Sequence, residues 1–171
     1  MDIRVFGNNV LVWRDRPIRC ALGRAGVQRL KTEGDGVTPV GDFSLRRVLY
    51  RPDRLTAPKT DLPVSPLTPK CGWCDDPDHM LYNLPVTLPF NASHEVLWRD
   101  DHLYDLIVVL GHNDDPPVPE AGSAIFFHVA NENFQPTEGC VAVATADLLE
   151  ILAECQPSDR LSVRPDTYAA A

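Results

Sequence analysis

Cys140 and His128 are the two side chains whose types and spacing most directly suggest catalysis. Cys140 follows Gly139 at a turn before an apolar run, and His128 lies in a hydrophobic run that precedes this turn. A neutral imidazole within hydrogen-bond reach could produce the thiolate that attacks an amide carbonyl. Gly139 would let the backbone approach that carbonyl and contribute to an oxyanion hole. A buried thiol and a hydrogen-bonded core histidine are the more common explanation of an arbitrary Cys and His pair, so the spacing alone does not establish catalysis.

Other polar side chains could contact a substrate. Arg24 and Lys31 lie in a loop region before residue 37, and either could supply positive charge for a carboxylate, although such residues are more often simply solvated. His112 and Asn113 follow a strongly apolar run, and loops at strand ends often carry sites. A turn capped by its own side chains is an equal possibility there.

The segment 52–91 is rich in proline. It holds eight of the 16 prolines, so it allows little continuous helix or central strand. Trp73 and Tyr82 give it apolar anchors, which predicts a lid or wall packed over the domain. The two aromatic side chains could pack against the domain or line a cleft.

Cys71 and Cys74 are separated by two residues, a spacing found in zinc sites. The sequence offers no second pair to complete a tetrahedral set, and the βαβ context of a redox motif is missing. We therefore predict no metal site and no cofactor. Because the five cysteines are an odd number, at least one thiol is free, which fits a reducing compartment or a working thiol.

Composition indicates one globular domain over residues 1–171. The net charge of −8 disfavours nucleic acid as a partner. Apolar runs fall short of the roughly 20 residues that cross a bilayer, so we expect no membrane span. The first seven residues lack the features of a secretory signal, which predicts a cytoplasmic protein or an unconventional exit. We expect a monomer.

Hydrophobic patterning predicts a mostly β fold with one late helix. The helix is expected over residues 146–155, with Thr145 as its N-cap. Strands are expected at residues 3–6, 10–13, 18–22, 106–110, 124–129 and 161–163.

Two motifs carry a resemblance to a known family. The stretch from His128 to Thr137-Glu138-Gly139-Cys140 resembles the His, spacer, Ser/Thr-X-Gly-Cys motif of the L,D-transpeptidase (YkuD) family, and residues 38–43 resemble its Thr-Pro-X-Gly-X-Phe segment. Two motifs in the right order are much more specific than one. The resemblance covers roughly residues 18–165. It implies a mostly β (α+β) domain with a β-sandwich or sheet core, one C-terminal helix and a long irregular capping loop.

The resemblance also implies a reaction. Cys140 would attack the L,D amide of a peptidoglycan stem peptide, with His128 as base and Gly139 in the oxyanion hole. Thr137 would contact the substrate or hydrogen-bond within the site, and we add Glu138 beside it as a candidate contact. The candidate substrate-binding residues are then Thr137, Glu138, Arg24, Tyr82, Trp73, His112 and Asn113. The spacer before Cys140 is shorter than is usual for the family, and Ala142 stands where Arg or Asn is common, so carboxylate recognition must come from elsewhere.

Three functions follow from this reading. An amine acceptor gives a transpeptidase of the cell envelope or periplasm, which forms links between two diaminopimelates or between L-Ala and diaminopimelate. Water as acceptor gives a cytoplasmic L,D-carboxypeptidase that releases the terminal D-Ala from murein tetrapeptides. The third candidate is an inactive wall-binding or zinc-stabilised module, in which Cys140 would be buried and unreactive.

Overall fold

The computed structural model describes residues 2–170, and within them it contains fourteen strands and one helix. The strands are β1 (Asp2–Phe6), β2 (Val10–Trp13), β3 (Arg16–Arg19), β4 (Val27–Gln28), β5 (Thr38–Pro39), β6 (Gly41–Tyr50), β7 (Val64–Pro66), β8 (Cys71–Cys74), β9 (Pro85–Thr87), β10 (His94–Val96), β11 (Leu106–Leu110), β12 (Phe126–Val129), β13 (Val141–Val143) and β14 (Arg160–Arg164). The helix α1 is Thr145–Glu154. The mostly β class with a single C-terminal helix is therefore confirmed.

Nine of the strands form the main sheet. Its order is β13-β12-β11-β6-β14-β1-β2-β3, and β7 pairs with β6 beside this path. β12 and β13 run parallel, with His128 opposite Ala142. This pairing places the loop that contains Cys140 at the edge of the sheet, next to the strand that carries His128.

The main sheet is covered on both faces near β11. All five residues of β11 are buried, and successive residues point to opposite faces, which explains their unbroken apolar run. Leu106, Val108 and Leu110 join the larger core cluster, which includes residues of α1. Ile107 and Val109 join a second cluster, which contains Cys140. The catalytic candidate thus lies on the face opposite the helix.

The helix α1 starts one position earlier than the sequence predicts. Its N-cap is Ala144, which makes no side-chain capping bond, so the prediction of Thr145 as N-cap is wrong. Because β13 ends at Val143, the chain enters the helix almost directly, and Thr145 already belongs to the first turn. The buried face of α1 consists of Leu148, Ile151 and Leu152, which confirms its predicted helical spacing.

The segment 52–91 is more regular than its proline content predicts. It contributes β7 to the main sheet, and β8 and β9 to a separate three-stranded sheet of order β10-β8-β9. Two of its prolines occupy strand ends, Pro66 in β7 and Pro85 in β9, both of which are edge strands. The remaining residues form turns and irregular stretches, as expected for a capping segment.

Candidate functional site

A cleft of about 400 Å³ lies on the face of the second core cluster, and both Cys140 and His128 line it. Thr137 and Glu138 line it as well. The structure therefore brings together four of the residues that the sequence predicts for the site. Further side chains with chemical potential in the lining are Lys31, Glu33, Asp75, Glu95, Arg99, Tyr104 and Ser123.

The Cys140 thiol is hydrogen-bonded to two backbone groups, one at the start of β12 and one just before it. Sγ donates a hydrogen bond to the Ala124 carbonyl over 3.2 Å and accepts one from the Phe126 N–H over 3.3 Å. The residue is 6% exposed, and burial raises the pKa of the thiol to about 12. The Cys140 side chain is therefore a neutral thiol at rest rather than a preformed thiolate.

His128 has one ring nitrogen fixed by backbone carbonyls. Nδ1 lies 2.8 Å from the Val129 oxygen and 3.1 Å from the Leu103 oxygen. Because both partners are acceptors, the proton is assigned to Nδ1, which leaves the lone pair on Nε2. Burial lowers the pKa of His128 to about 4. At neutral pH the ring is uncharged and Nε2 can accept a proton.

The aromatic ring of Tyr104 supports this imidazole. The two ring centroids are 5.2 Å apart with an interplanar angle of 87°, an edge-to-face contact. Among residues 2–170 no hydrogen bond joins the Cys140 thiol to the His128 ring, because the thiol proton points at Ala124. Proton transfer to His128 must therefore accompany reorientation of the thiol.

The turn before the nucleophile is organised by Thr137. Its hydroxyl donates to the Cys140 carbonyl over 2.7 Å and accepts the Gly139 N–H over 3.1 Å. Gly139 has φ +139, and a Cβ there would lie 2.7 Å from the Val37 oxygen, so the turn requires glycine. The Cys140 N–H has no hydrogen-bond partner within the described residues. This amide, rather than that of Gly139, is free to bind an oxyanion.

Residues 21 and 22 hydrogen-bond to the backbone on either side of Cys140. Ala21 and Ala142 exchange two backbone hydrogen bonds, of 2.8 and 3.0 Å. Thr137 donates its backbone N–H to Leu22, over 2.9 Å. The strand expected at residues 18–22 is therefore observed only in part, because β3 is Arg16–Arg19 and residues 21 and 22 instead hydrogen-bond to the segments on either side of Cys140.

The two basic candidates are both engaged in ion pairs. Arg24 binds Glu138 at 3.0 Å at the rim of the cleft, and it does not line the cleft itself. Lys31 does line the cleft, with its side chain only 6% exposed, and is paired with Asp35. Hydrogen bonds from Lys31 and from the backbone of Thr32 and Val37 lower the pKa of Asp35 to about 2, against the effect of its desolvation.

Trp73 and Tyr82 anchor the proline-rich segment to the domain, and neither lines the cleft. The Trp73 ring packs edge-to-face on Phe126, with centroids 5.1 Å apart. The Tyr82 hydroxyl donates to Glu33 and accepts the Gly122 N–H. Both side chains are almost fully buried, so their observed contacts are with the protein itself.

His112 and Asn113 shape the loop after β11. The His112 Nε2 lies 3.0 Å from the Ala121 oxygen, and the Asn113 amide donates to the Val118 and Gly122 carbonyls. Neither residue lines the cleft. Their observed contacts are those of the capped turn that the sequence left open as an alternative.

Glu95, Arg99 and Tyr104 line the cleft but were not identified from the sequence. Glu95 lies on β10, and its carboxylate accepts the Tyr104 hydroxyl over 2.8 Å. They occupy turns and a short edge strand, where no periodic pattern marks them. Only the tertiary packing of the small sheet brings them to the cleft.

Cys71 and Cys74 occupy the two ends of β8, and all five cysteines are free thiols. Within residues 2–170 no group of three or more His, Cys, Asp or Glu side chains is placed to hold a metal ion. Nor does this part of the chain contain a helix with the length and apolarity needed to cross a membrane.

Comparison with known proteins gives one match. A family model described as YkuD, L,D-transpeptidase catalytic domain, matches residues 2–163, nearly the whole chain. No curated protein and no solved structure matches the chain.

Proposed function

Because the chain belongs to the YkuD family of L,D-transpeptidase catalytic domains, we propose that it transfers the acyl group of a peptidoglycan stem peptide through a Cys140 thioester. The observation that carries this proposal is the shared cleft. It holds a thiol and an imidazole whose Nδ1 is fixed by backbone carbonyls, so that Nε2 is left as base.

The reaction begins with the neutral pair. As the substrate carbonyl approaches, the thiol gives up its hydrogen bond to the Ala124 oxygen. Its proton passes from Sγ to His128 Nε2, and Sγ attacks the carbonyl carbon. The Cys140 N–H stabilises the oxyanion. Collapse breaks the amide, the imidazolium returns its proton to the leaving D-residue amine, and a thioester remains.

The acceptor decides the product. An amine from a second stem would attack the thioester and form a cross-link, either between two diaminopimelates or between L-Ala and diaminopimelate. A transpeptidase of this kind would work in the cell envelope or periplasm, where its polymeric substrate lies.

A second candidate is the L,D-carboxypeptidase, in which water takes the acyl group from tetrapeptides in the cytoplasm. The observation that favours it is the burial of Cys140, which is only 6% exposed. A thioester on so buried a residue would be easier for a water molecule to reach than for a second peptide.

Product analysis separates these candidates. The protein is incubated with disaccharide tetrapeptide, and the products are resolved by mass spectrometry. Dimer with loss of D-Ala supports transpeptidation, whereas tripeptide monomer alone supports the carboxypeptidase. Cys140→Ala should abolish both products, and Cys71→Ala, a partly buried thiol outside the cleft, is the matched control. If no Cys140-dependent product forms, the inactive binding module is the better reading.

A further inference from the structure

The Glu95 carboxylate lines the cleft, and only one of its two oxygens has a hydrogen-bond partner among residues 2–170. Oε2 accepts the Tyr104 hydroxyl over 2.8 Å. Among residues 2–170 no other hydrogen-bond donor and no cation binds this carboxylate. Because Glu95 lines the cleft, the second oxygen can meet a ligand there.

Glu95 is also electrostatically coupled to the catalytic pair. Its negative charge contributes to raising the pKa of Cys140, after the larger effect of burial. Its partner Tyr104 packs against the ring of His128. The carboxylate therefore lines the same cleft as Cys140 and His128 and is connected to the His128 ring through Tyr104.

The balance of charge in the cleft favours a cation. Four acidic side chains line it and two basic ones do: Glu33, Asp75, Glu95 and Glu138 against Lys31 and Arg99. The two cations are already paired, Lys31 with Asp35 and Arg99 with Asp101, and Glu138 is paired with Arg24. Three acidic side chains of the lining, Glu33, Asp75 and Glu95, form no ion pair within the described residues. A ligand with an ammonium group would be attracted by the excess of negative charge in the cleft, whereas an additional anion would be repelled.

We propose that Glu95, held by Tyr104, binds the ammonium group of the acceptor and takes its proton, so that the cleft is built for an amine rather than for water. This inference rests on the proposed Cys140 acyl transfer. It assigns to Glu95 a role in the second half of the reaction, when the thioester is resolved.

Resolution of the thioester begins with a proton transfer. The acceptor ammonium gives one proton to the Glu95 carboxylate, and the resulting amine attacks the thioester carbonyl. The C–S bond breaks as the C–N bond forms, and the thiolate takes the second proton from the amine nitrogen. Burial raises the pKa of Glu95, which makes the carboxylate a better proton acceptor than an exposed one.

The test uses two acceptors that differ in charge. The protein is acylated with disaccharide tetrapeptide, and the thioester is then resolved with either glycinamide, which is mostly an ammonium at neutral pH, or hydroxylamine, which is mostly uncharged. We expect Glu95→Gln to lower the glycinamide product by about tenfold or more relative to the hydroxylamine product. D-Ala release in the absence of added amine measures the acylation step separately.

The matched control is Glu132→Gln, because Glu132 is exposed and lies outside the cleft. It should leave the ratio of the two products as in the unchanged protein. Equal losses with both acceptors in Glu95→Gln would overturn the inference and make Glu95 a structural support. An unchanged protein that releases D-Ala but forms no glycinamide product would also overturn it, although acyl transfer to water would stand. Failure to release D-Ala at all would instead contradict the proposed function.

Discussion

At the scale of single residues, Cys140 and His128 are both neutral at rest. Burial favours the uncharged form of both groups, raising the pKa of Cys140 to about 12 and lowering that of His128 to about 4. A thiolate–imidazolium pair is therefore disfavoured until the substrate arrives. In the proposed reaction, the Cys140 thiol would therefore lose its proton only as it attacks the substrate.

The ionisation of His128 gives a direct prediction. In nitrogen NMR spectra of the ring we expect the Nδ1–H tautomer at pH 7 and a midpoint of protonation near pH 4. The physical reasons are burial and the two carbonyl acceptors at Nδ1. A midpoint near the ordinary 6.5, or an imidazolium signal at pH 7, would show that the pair is ionised at rest.

Thr137 supplies a second prediction at this scale. Thr137→Ala removes the hydroxyl that connects the Cys140 carbonyl to the Gly139 N–H, so the oxyanion amide loses its fixed direction. We expect the rate of D-Ala release to fall by about tenfold. Thr137→Ser keeps the hydroxyl and should retain most of the rate. Equal losses in the two variants would mean that the methyl group, not the hydroxyl, matters.

At the scale of elements, Asn83 joins the proline-rich segment to the residues just before β12. Its carbonyl oxygen accepts the Trp73 indole N–H and the Ala124 N–H, each over 3.0 Å. Its amide donates to the carbonyls of His112 and Asn113. Ala124 in turn accepts the Cys140 thiol, so one buried amide connects the small sheet, the loop after β11 and the nucleophile.

Replacing this amide should therefore affect both stability and rate. We expect Asn83→Ala to lower the free energy of unfolding by about 3 kcal/mol, since several buried polar groups lose their partners. D-Ala release at a temperature where the variant is folded should also fall. Denaturant unfolding and the product assay measure the two effects, with the exposed Asn91→Ala as control. A variant as stable as the control would show that the segment is held by Trp73 and Tyr82 alone.

At the scale of the whole molecule, buried neutral His128 links stability to pH. Its folded-state pKa of about 4 lies below the ordinary 6.5, so between these values the unfolded chain binds the proton more readily. This contribution is fully present above pH 6.5 and is lost as the pH falls towards 4. Its full size is roughly 3 kcal/mol.

The prediction is a difference between two pH profiles. The free energy of unfolding should fall between pH 6.5 and 4 in the unchanged protein, and His128→Asn should show a shallower fall over the same range. The side chains that lower the pKa of Asp35 and Asp42 are present in both proteins, so the difference isolates His128. Parallel profiles would contradict the assignment of a buried, neutral ring.

Much of this organisation could be predicted from local sequence. The apolar runs that became β11, β12 and α1 determine their own secondary structure by their periodicity. Cys140 and His128 could be placed together because a short loop joins their strands and two motifs agree. These features depend on residues that are close in sequence.

The rest depends on contacts between distant segments. Glu95 and Tyr104 become cleft residues only because the small sheet packs against Phe126 and His128. The proline pattern predicts a capping segment over residues 52–91 but could not indicate the strands that the structure shows there, since short edge strands tolerate proline at their ends. The sequence left open whether Trp73 packs against the domain or lines the cleft. In the structure its ring packs on Phe126 and does not line the cleft.

The thioester on Cys140, on which the proposed function rests, can be detected directly. The protein is mixed with disaccharide tetrapeptide, quenched in acid within the first turnovers, digested and examined by mass spectrometry. We predict an adduct on the peptide that contains Cys140, with the mass of the substrate acyl group after loss of D-Ala, and no adduct in Cys140→Ala. An adduct on a different cysteine, or D-Ala release that persists in Cys140→Ala, would contradict it.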